Sequence, residues 1–324
     1  MVALSFYSSA QNTQIRGFID QITTLTDEKI SFGLGEQDLF ITSDLNDRFS
    51  FLGESVFKFD KESPTFFDVS IERAIIKYNY YGNHNIVFGK VHTPVNYWND
   101  TYHHGKVFYP TIWRPLMFVE HIVPLHTEGI GLKGDDLLGN LHFGYDLMIG
   151  NGLGSTDALD NDKYKSVTAA IHIKPVTGLR IGASYYSDHI SAGAQVDHML
   201  QSQYDVDEKL YSGTLAYFGP AFEFLSEGTL ANNHTDTLGT SQTIAYYVYG
   251  GVKFLKKFTA YGRYDQLKFQ NNEIYFHNND QTSIVGGIRY QINYLAVVKI
   301  EFERDHSAMN GNSNIVNAEI AVGF

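Results

Sequence analysis

Apolar and polar side chains alternate along sixteen segments of this sequence, most of them about ten residues long. Successive side chains of a strand point to opposite faces, so each segment predicts a strand with one apolar and one polar face. The predicted strands are 13–25, 35–45, 48–60, 66–80, 85–96, 126–134, 139–150, 164–175, 178–188, 208–218, 220–231, 241–254, 257–269, 281–292, 294–305 and 314–324. No stretch approaches the roughly 20 apolar residues of a membrane-spanning helix.

The connections between these predicted strands alternate in length. Short turns rich in Gly, Pro, Asn or Asp lie at 45–48, 82–84, 175–178, 219–220, 255–256 and 293, and longer polar connections lie at 60–65, 96–125, 151–163, 189–207, 232–240, 270–280 and 306–313. Segregation of short and long connections is typical of transmembrane barrels with short periplasmic turns and long external loops. An even number of strands closes such a barrel without an exposed edge.

These patterns predict an all-β protein, a transmembrane antiparallel barrel of about 16 strands. Eighteen strands remain an alternative, because 96–125 or 189–207 is long enough for a further hairpin. The 22 Tyr and 23 Phe fit aromatic belts where the barrel wall meets the two membrane interfaces. Residues 1–12 are expected to be an N-terminal remnant of a signal or disordered, and 13–324 a single barrel domain.

The last eleven residues, 314–324, place Phe324, Val322, Ile320, Ala318 and Val316 on one face of the final strand. This ending resembles the closing strand of Gram-negative outer-membrane barrels, and the whole of 13–324 resembles a sixteen-stranded porin. Residues 89–98, GKVHTPVNYW, are similar to the phosphate-selective group of porins. The resemblance implies an outer-membrane location, a homotrimer, and recognition of Phe324 by the barrel-assembly machinery. In general porins the third long loop folds into the lumen, which here would be 96–125.

Parity assigns charged residues to the lumen, because a charge facing the middle of the bilayer would cost roughly 2–4 kcal/mol. The predicted pore wall comprises Lys90, His92, Lys133, Arg180, Glu223, Glu227, Lys253, Arg263, Arg289, Lys299 and Glu301. If 96–125 enters the lumen, it brings a predicted constriction of His103, His104, Lys106, Arg114, Glu120 and His121. The balance of these charges leaves anion or cation preference open.

In strand 66–80, Glu72 and Arg73 are adjacent and would face opposite ways unless a bulge intervenes. Many of the acids behind the net charge of −12 are expected in external loops, at Asp157, Asp160, Asp162, Asp188, Asp197, Asp205, Asp207 and Glu208. There they would be solvated or would hold divalent cations that bridge lipopolysaccharide.

The predicted function is a water-filled channel for small hydrophilic solutes, with membrane lipid and lipopolysaccharide around it. No cofactor and no nucleic-acid partner are expected. No resident metal is expected, because the histidines show no zinc-ligand spacing and no HExxH motif. No Ser, His or Asp residue stands in a sequence motif that would identify it as catalytic. An outer-membrane barrel enzyme of the phospholipase or protease type, and a non-conducting barrel for anchoring or adhesion, remain alternatives.

Overall fold

The protein forms one closed barrel of sixteen antiparallel strands in a computed structural model. The structure describes residues 12–26, 28–59, 65–102, 105–195, 203–276, 279–307 and 311–324. Every strand pairs with its neighbours in sequence, and β1 also pairs with β16. The predicted fold class is confirmed. Residues 1–11 of the predicted N-terminal remnant lie outside the described residues.

The strands follow one another around the barrel in chain order. They are β1 Asn12–Leu25, β2 Ile30–Asp44, β3 Phe49–Phe59, β4 Phe67–Tyr81, β5 His84–His92, β6 His126–Leu138, β7 Leu141–Gly150, β8 Ser166–Lys174, β9 Leu179–Ile190, β10 Val206–Phe218, β11 Phe222–Thr235, β12 Gly239–Phe254, β13 Phe258–Phe269, β14 Gln281–Asn293, β15 Ala296–Ser307 and β16 Gly311–Gly323. Between β5 and β6 lie two short helices, α1 Tyr97–Thr101 and α2 Leu116–Val119, and a 3-10 turn, Lys106–Phe108. Among the described residues, no helix is long and apolar enough to cross a bilayer.

The strand ends differ from the prediction where the sheet continues beyond the apolar belt. The predicted long connection 232–240 is wrong, because β11 and β12 continue their ladder until residues 236–238 alone remain between them. Asn232, Asn233 and His234 pair there with Gln242, Ser241 and Thr240. Ladder hydrogen bonds need only the backbone, so polar segments extend a strand past the point where alternation of hydrophobicity stops.

The outward face of the barrel carries an exposed apolar band. On β14 and β15, Ile284, Ile288, Ile300 and Phe302 are exposed while the alternating residues are buried. Aromatic pairs flank the short turns at one end, including Tyr217 with Phe222, Phe254 with Phe258, and Phe49 with Tyr78. A closed barrel satisfies every ladder hydrogen bond internally, so such a band can face hydrocarbon.

A β-bulge in β4 resolves the adjacent charges of Glu72 and Arg73. The ladder pairs Glu54 with Arg73 and the next residue, Ser55, with Ile71, which leaves Glu72 as the extra residue. A bulge changes the parity of a strand, so both side chains reach the interior. Val69 and Ile71 before the bulge, like Ile76 after it, are exposed on the outer face.

Gly17 of β1 and the last residue, Phe324, extend the β1–β16 ladder that closes the barrel. The Gly17 N–H donates to the Phe324 carbonyl at 3.0 Å, and the Phe324 N–H donates to the Gly17 carbonyl at 2.9 Å. A Cβ atom at position 17 would lie 2.4 Å from the Phe324 ring and 2.9 Å from the Asp38 carbonyl oxygen. The aromatic ring of Phe324 therefore occupies the space that a side chain at position 17 would need.

We expect Gly17→Val to weaken closure and lower the free energy of unfolding by about 1–3 kcal/mol, as overpacking does elsewhere. Urea unfolding of the purified barrel in detergent measures this loss. Gly213→Val is the matched control, because nothing lies within 4 Å of a Cβ atom at that position. Equal stability of the two variants would contradict the role assigned to this contact.

Candidate functional site

The described residues of 93–125, which are 93–102 and 105–125 and are here called the inner segment, lie inside the barrel against inward-facing side chains. The 3-10 turn contacts β1 and β16, and α2 contacts β12 and β13. Trp98 and Phe118 are buried with Tyr247 of β12 and Tyr109 of the same segment in one apolar cluster. These contacts place parts of the segment against β1, β12, β13 and β16.

Three carboxylates of the wall bind the backbone of the inner segment. Glu227 of β11 accepts hydrogen bonds from the N–H groups of Tyr97 and Trp98, at 2.5 and 3.0 Å. Glu301 of β15 accepts from Ile112 at 2.6 Å, and Asp265 of β13 accepts from Leu116 at 3.1 Å. These bonds satisfy N–H groups that irregular backbone would otherwise bury without partners.

Basic side chains of the same wall bind carbonyl oxygens of the inner segment. Arg263 donates to the Trp113 carbonyl at 2.6 Å and to the Thr111 hydroxyl at 2.5 Å, and it also pairs with Asp265 at 2.7 Å. Lys299 donates to the carbonyls of Lys106 and Thr111 at 2.6 and 3.2 Å and pairs with Glu319 at 2.8 Å.

These five wall residues, Glu227, Arg263, Asp265, Lys299 and Glu301, are called the docking wall below. Arg263 is only 3% exposed and Lys299 is 0% exposed. The alternation of side chains along the strands predicted Glu227, Arg263, Lys299 and Glu301 on the pore wall. The structure gives them inward positions, but the inner segment covers them, so their charges meet its backbone.

Lys106, expected at the constriction, is a further anchor of the inner segment. Its ammonium lies 3.1 Å from Asp20 of β1 and 4.9 Å from the centre of the Trp113 ring. The N–H of Gly105 donates to Asp38 of β2 at 3.2 Å. The buried Lys106 therefore extends the attachment from β15 to β2.

The start of the inner segment is held by a separate group of charges. Asp100 of α1 lies 3.1 Å from Lys133 of β6 and 3.5 Å from Arg180 of β9. Burial would raise the pKa of Asp100, but Lys133 and Arg180 outweigh it and hold that pKa below its ordinary value. Arg180 also stacks on the Tyr97 ring, with its guanidinium 4.8 Å from the ring centre.

Glu223 of β11 lies at the centre of a second charge cluster, towards the short-turn end of the barrel. Arg289 donates to both of its carboxylate oxygens, at 2.8 and 2.9 Å, and Lys253 lies 3.1 Å away. Arg289 reaches the Pro110 carbonyl as well, at 3.3 Å. All three residues were expected on the pore wall, and here two bases share one acid.

Arg114 lies on the side of the inner segment that faces β2 and β4. Burial would lower its pKa, but Tyr109 and Glu36 of β2 outweigh burial and raise it, with a further contribution from Glu72 of β4. Arg114 therefore stays cationic at any physiological pH. Three charged pairs lie on the barrel wall near it. The Lys58 ammonium is 3.3 Å from a Glu36 carboxylate oxygen, and Arg73 pairs with Glu54. The Nε2 atom of His126 is 2.9 Å from a Glu72 carboxylate oxygen.

The charges on β2–β4 were missing from the sequence-based site. Strands β2, β3 and β4 are neighbours because they follow one another along the chain. The adjacent charged residues Glu72 and Arg73 were the signal in the sequence that this wall is charged. What sequence could not supply was the path of the inner segment, which leaves this wall uncovered by the docking contacts.

The remaining predicted site residues lie around the outer end of β5 and β6. His92 is buried, with its ring 5.6 Å from that of His126, and Lys90 lies 2.7 Å from Asp157. His121 contributes with Lys90 and His126 to a cavity of about 210 Å³. Glu120 ends α2, and His103 and His104 lie outside the described residues.

We expect Arg263→Met to release the inner segment from the docking wall. Removing one partner of a buried ion pair costs about 3–5 kcal/mol, because it leaves an uncompensated charge. Urea unfolding should show this loss, and limited proteolysis should cut between residues 105 and 116. Arg304→Met, at an exposed position on the outward face of β15, is the control. An uncut inner segment and control-like stability would contradict this attachment.

Comparison with known proteins identifies the architecture. No family profile matches the sequence, and no curated protein matches it. Among solved structures, it is similar to an anion-selective porin from Comamonas acidovorans, with a TM-score of 0.69, 8% identity, and coverage of 97% of this chain and 100% of that one.

OmpT, an outer-membrane protein of Vibrio cholerae, gives a TM-score of 0.68 at 15% identity, covering 98% of this chain and 99% of that one. OmpF of Salmonella typhi gives 0.65 at 13% identity, covering 96% and 97%. At these identities the likeness concerns the fold. The chain has the fold of the sixteen-stranded outer-membrane porins of Gram-negative bacteria.

Proposed function

We propose that this protein is an outer-membrane porin, a water-filled channel for passive diffusion of small hydrophilic solutes. The observation that carries the proposal is that charged side chains of β3 and β6 remain exposed to solvent beside the attached inner segment. The docking bonds of that segment run to β11, β13 and β15, and its further anchors lie on β1 and β2 and, through Asp100, on β6 and β9. The interior beside β3–β8 keeps charged side chains in contact with solvent.

Solvation of that second wall supports a passage for ions and polar solutes. The side chain of Lys58 is 40% exposed and that of Lys133 is 51% exposed, although both point to the interior. A cavity of about 900 Å³ opens at the short-turn end between His142, Lys174, Arg180 and Phe218. Charged walls of this kind retain water and select among ions.

The electrostatics of the passage centre on Arg114. Lys58 and Arg73 are each paired with an acid of their own wall, at Glu36 and Glu54. Arg114 lies on the inner segment, where it interacts with Tyr109 of that segment and with Glu36 and Glu72 of the wall. Low-dielectric walls on both sides focus the field of such a charge, so it weighs heavily on ion selection.

Single-channel recording in planar lipid bilayers tests the function directly. We expect stable, ohmic current steps in 1 M KCl when the purified protein is added, because solute passage needs no conformational change. A purified, folded barrel that gives no current steps would overturn the proposal. That outcome would favour a barrel enzyme or an anchoring or adhesion barrel, and loss of lipid or peptide hydrolysis on mutation of a lumen-rim Ser or His would distinguish the enzyme.

We expect Arg114→Gln to shift the reversal potential towards cations in a tenfold KCl gradient. Removing one positive charge lowers the local concentration of chloride and raises that of potassium. Lys268→Gln, at an exposed position on the outer face of β13, removes the same charge away from the lumen. Identical reversal potentials in both variants would place the selective region elsewhere.

We also propose that the protein assembles as a homotrimer in the membrane. The outward faces of β2 and β4 expose Phe32, Leu34, Val69 and Ile71, an apolar surface suited to contact with lipid or a second copy. One of the similar structures, OmpT of Vibrio cholerae, is described as a trimer form. Light scattering of the protein–detergent complex should give three chains, and a monomeric mass would refute this assembly.

A further inference from the structure

Four polar side chains form a row across the interior of β9–β12, near the long-loop end. Asp188 lies directly opposite Glu208, Glu208 opposite Asn233, and Asn233 opposite Ser241. All four are buried. The expectation that Asp188 and Glu208 stand in external loops is wrong, because β9 continues to Ile190 and β10 begins at Val206.

Among the residues that the structure describes, Glu208 has no hydrogen-bond partner for either carboxylate oxygen. It is 0% exposed, and both Oε1 and Oε2 are buried without a hydrogen bond. Its neighbours on the same face, Val206 and Leu210, are fully buried apolar residues. An isolated carboxylate in such surroundings is very costly unless another charge compensates it.

Nothing in the described residues supplies that compensating charge. No Lys, Arg or His forms an ion pair with Asp188 or Glu208 there, and the charged groups that act on Glu208 are Asp188 and Glu273, both acidic. The amide of Asn233 is also 1% exposed with neither Nδ2 nor Oδ1 bonded. Two acids and an unused amide oxygen thus face one another in the interior.

Asp188 is already oriented by other groups. It accepts hydrogen bonds from the N–H groups of Leu153 at 2.7 Å and His189 at 3.0 Å, and from the Tyr186 hydroxyl at 3.0 Å. Two carboxylate oxygens offer about four lone-pair directions, so Asp188 keeps capacity for a further ligand. The Leu153 bond ties this carboxylate to the connection between β7 and β8.

We propose that Asp188, Glu208 and the Asn233 Oδ1 atom bind a hard divalent cation, with Ca²⁺ as the preferred ion. Two carboxylates balance its charge, and carboxylate and amide oxygens are its usual ligands. Ca²⁺ accepts irregular sets of six to eight oxygens, whereas Mg²⁺ requires a near-ideal octahedron. The described residues contain no group of three acidic, His or Cys side chains placed as ligands, so the proposed site needs neutral oxygens such as the Asn233 Oδ1 atom and water beside its two carboxylates.

The proposed ion would connect parts of the barrel that the ladder alone does not join. Asp188 contacts Leu153 in the β7–β8 connection, and Tyr275 of the β13–β14 connection lies among the groups that interact with Glu208. Binding to the folded state only stabilises it by mass action. The site is independent of the proposed channel, so either proposal can fail without the other.

The first experiment uses wild-type protein freed of lipopolysaccharide and stripped with EDTA. Tb³⁺, a luminescent substitute for Ca²⁺, should bind one ion per chain and show emission sensitised by Tyr186, whose hydroxyl lies 3.0 Å from Asp188. Ca²⁺ should displace it at lower concentration than Mg²⁺. Absence of saturable, tyrosine-sensitised emission would overturn the proposal without requiring any variant to fold.

The second experiment compares thermal unfolding with and without 1 mM Ca²⁺. We expect Ca²⁺ to raise the melting temperature of the wild type by several degrees and to leave Glu208→Gln unchanged. Asp207→Asn is the matched control, because Asp207 is exposed on the opposite face of the same strand. It should keep the wild-type response.

An equal Ca²⁺ response in Glu208→Gln would overturn the site. The site would also be overturned by a wild type whose melting temperature does not change with divalent cations and which is less stable than Glu208→Gln at pH 8. That result would mean that a bound proton, and not a metal ion, neutralises Glu208.

Discussion

The interior of this barrel depends on matching charged wall side chains to the backbone of the inner segment. A segment of irregular backbone brings N–H and C=O groups away from water, and each needs a partner. Glu227, Glu301 and Asp265 accept from its N–H groups, while Arg263 and Lys299 donate to its oxygens. The wall charges need the segment as much as the segment needs them, since buried charges without partners are destabilising.

This matching divides the interior into two unlike halves. Along β11–β16 the charged side chains of the docking wall bind the inner segment, and the aromatic cluster around Trp98 and Tyr247 excludes water. Along β3–β8 the side chains of Lys58 and Lys133 keep contact with solvent, although Lys133 also pairs with Asp100 of the inner segment. A chain with acidic net charge can therefore present bases at its passage, because the overall charge and the charge that a solute meets are separate quantities.

Much of the fold could be predicted because strand periodicity is a local property. Parity placed Lys299 and Glu301 inside and Ile300 and Phe302 outside, as the burial of β15 shows. Ends of strands were less predictable, since residues 189–190, 206–207 and 232–235 continue the ladders beyond the predicted ends with mostly polar residues that carry no alternation. Glu72 needed the register itself, because the residue that a bulge leaves unpaired depends on the partner strand.

The sixteen strands, their order and the face of most side chains follow from the sequence, because alternation and turn chemistry act over a few residues. Which of the inward charges are covered depends on the path of the inner segment through the barrel. Arg263 and Arg114 are both bases predicted for the lumen, yet one is buried beneath the inner segment and the other is carried by it. That difference arises from contacts about 150 residues apart in the chain, which no local pattern encodes.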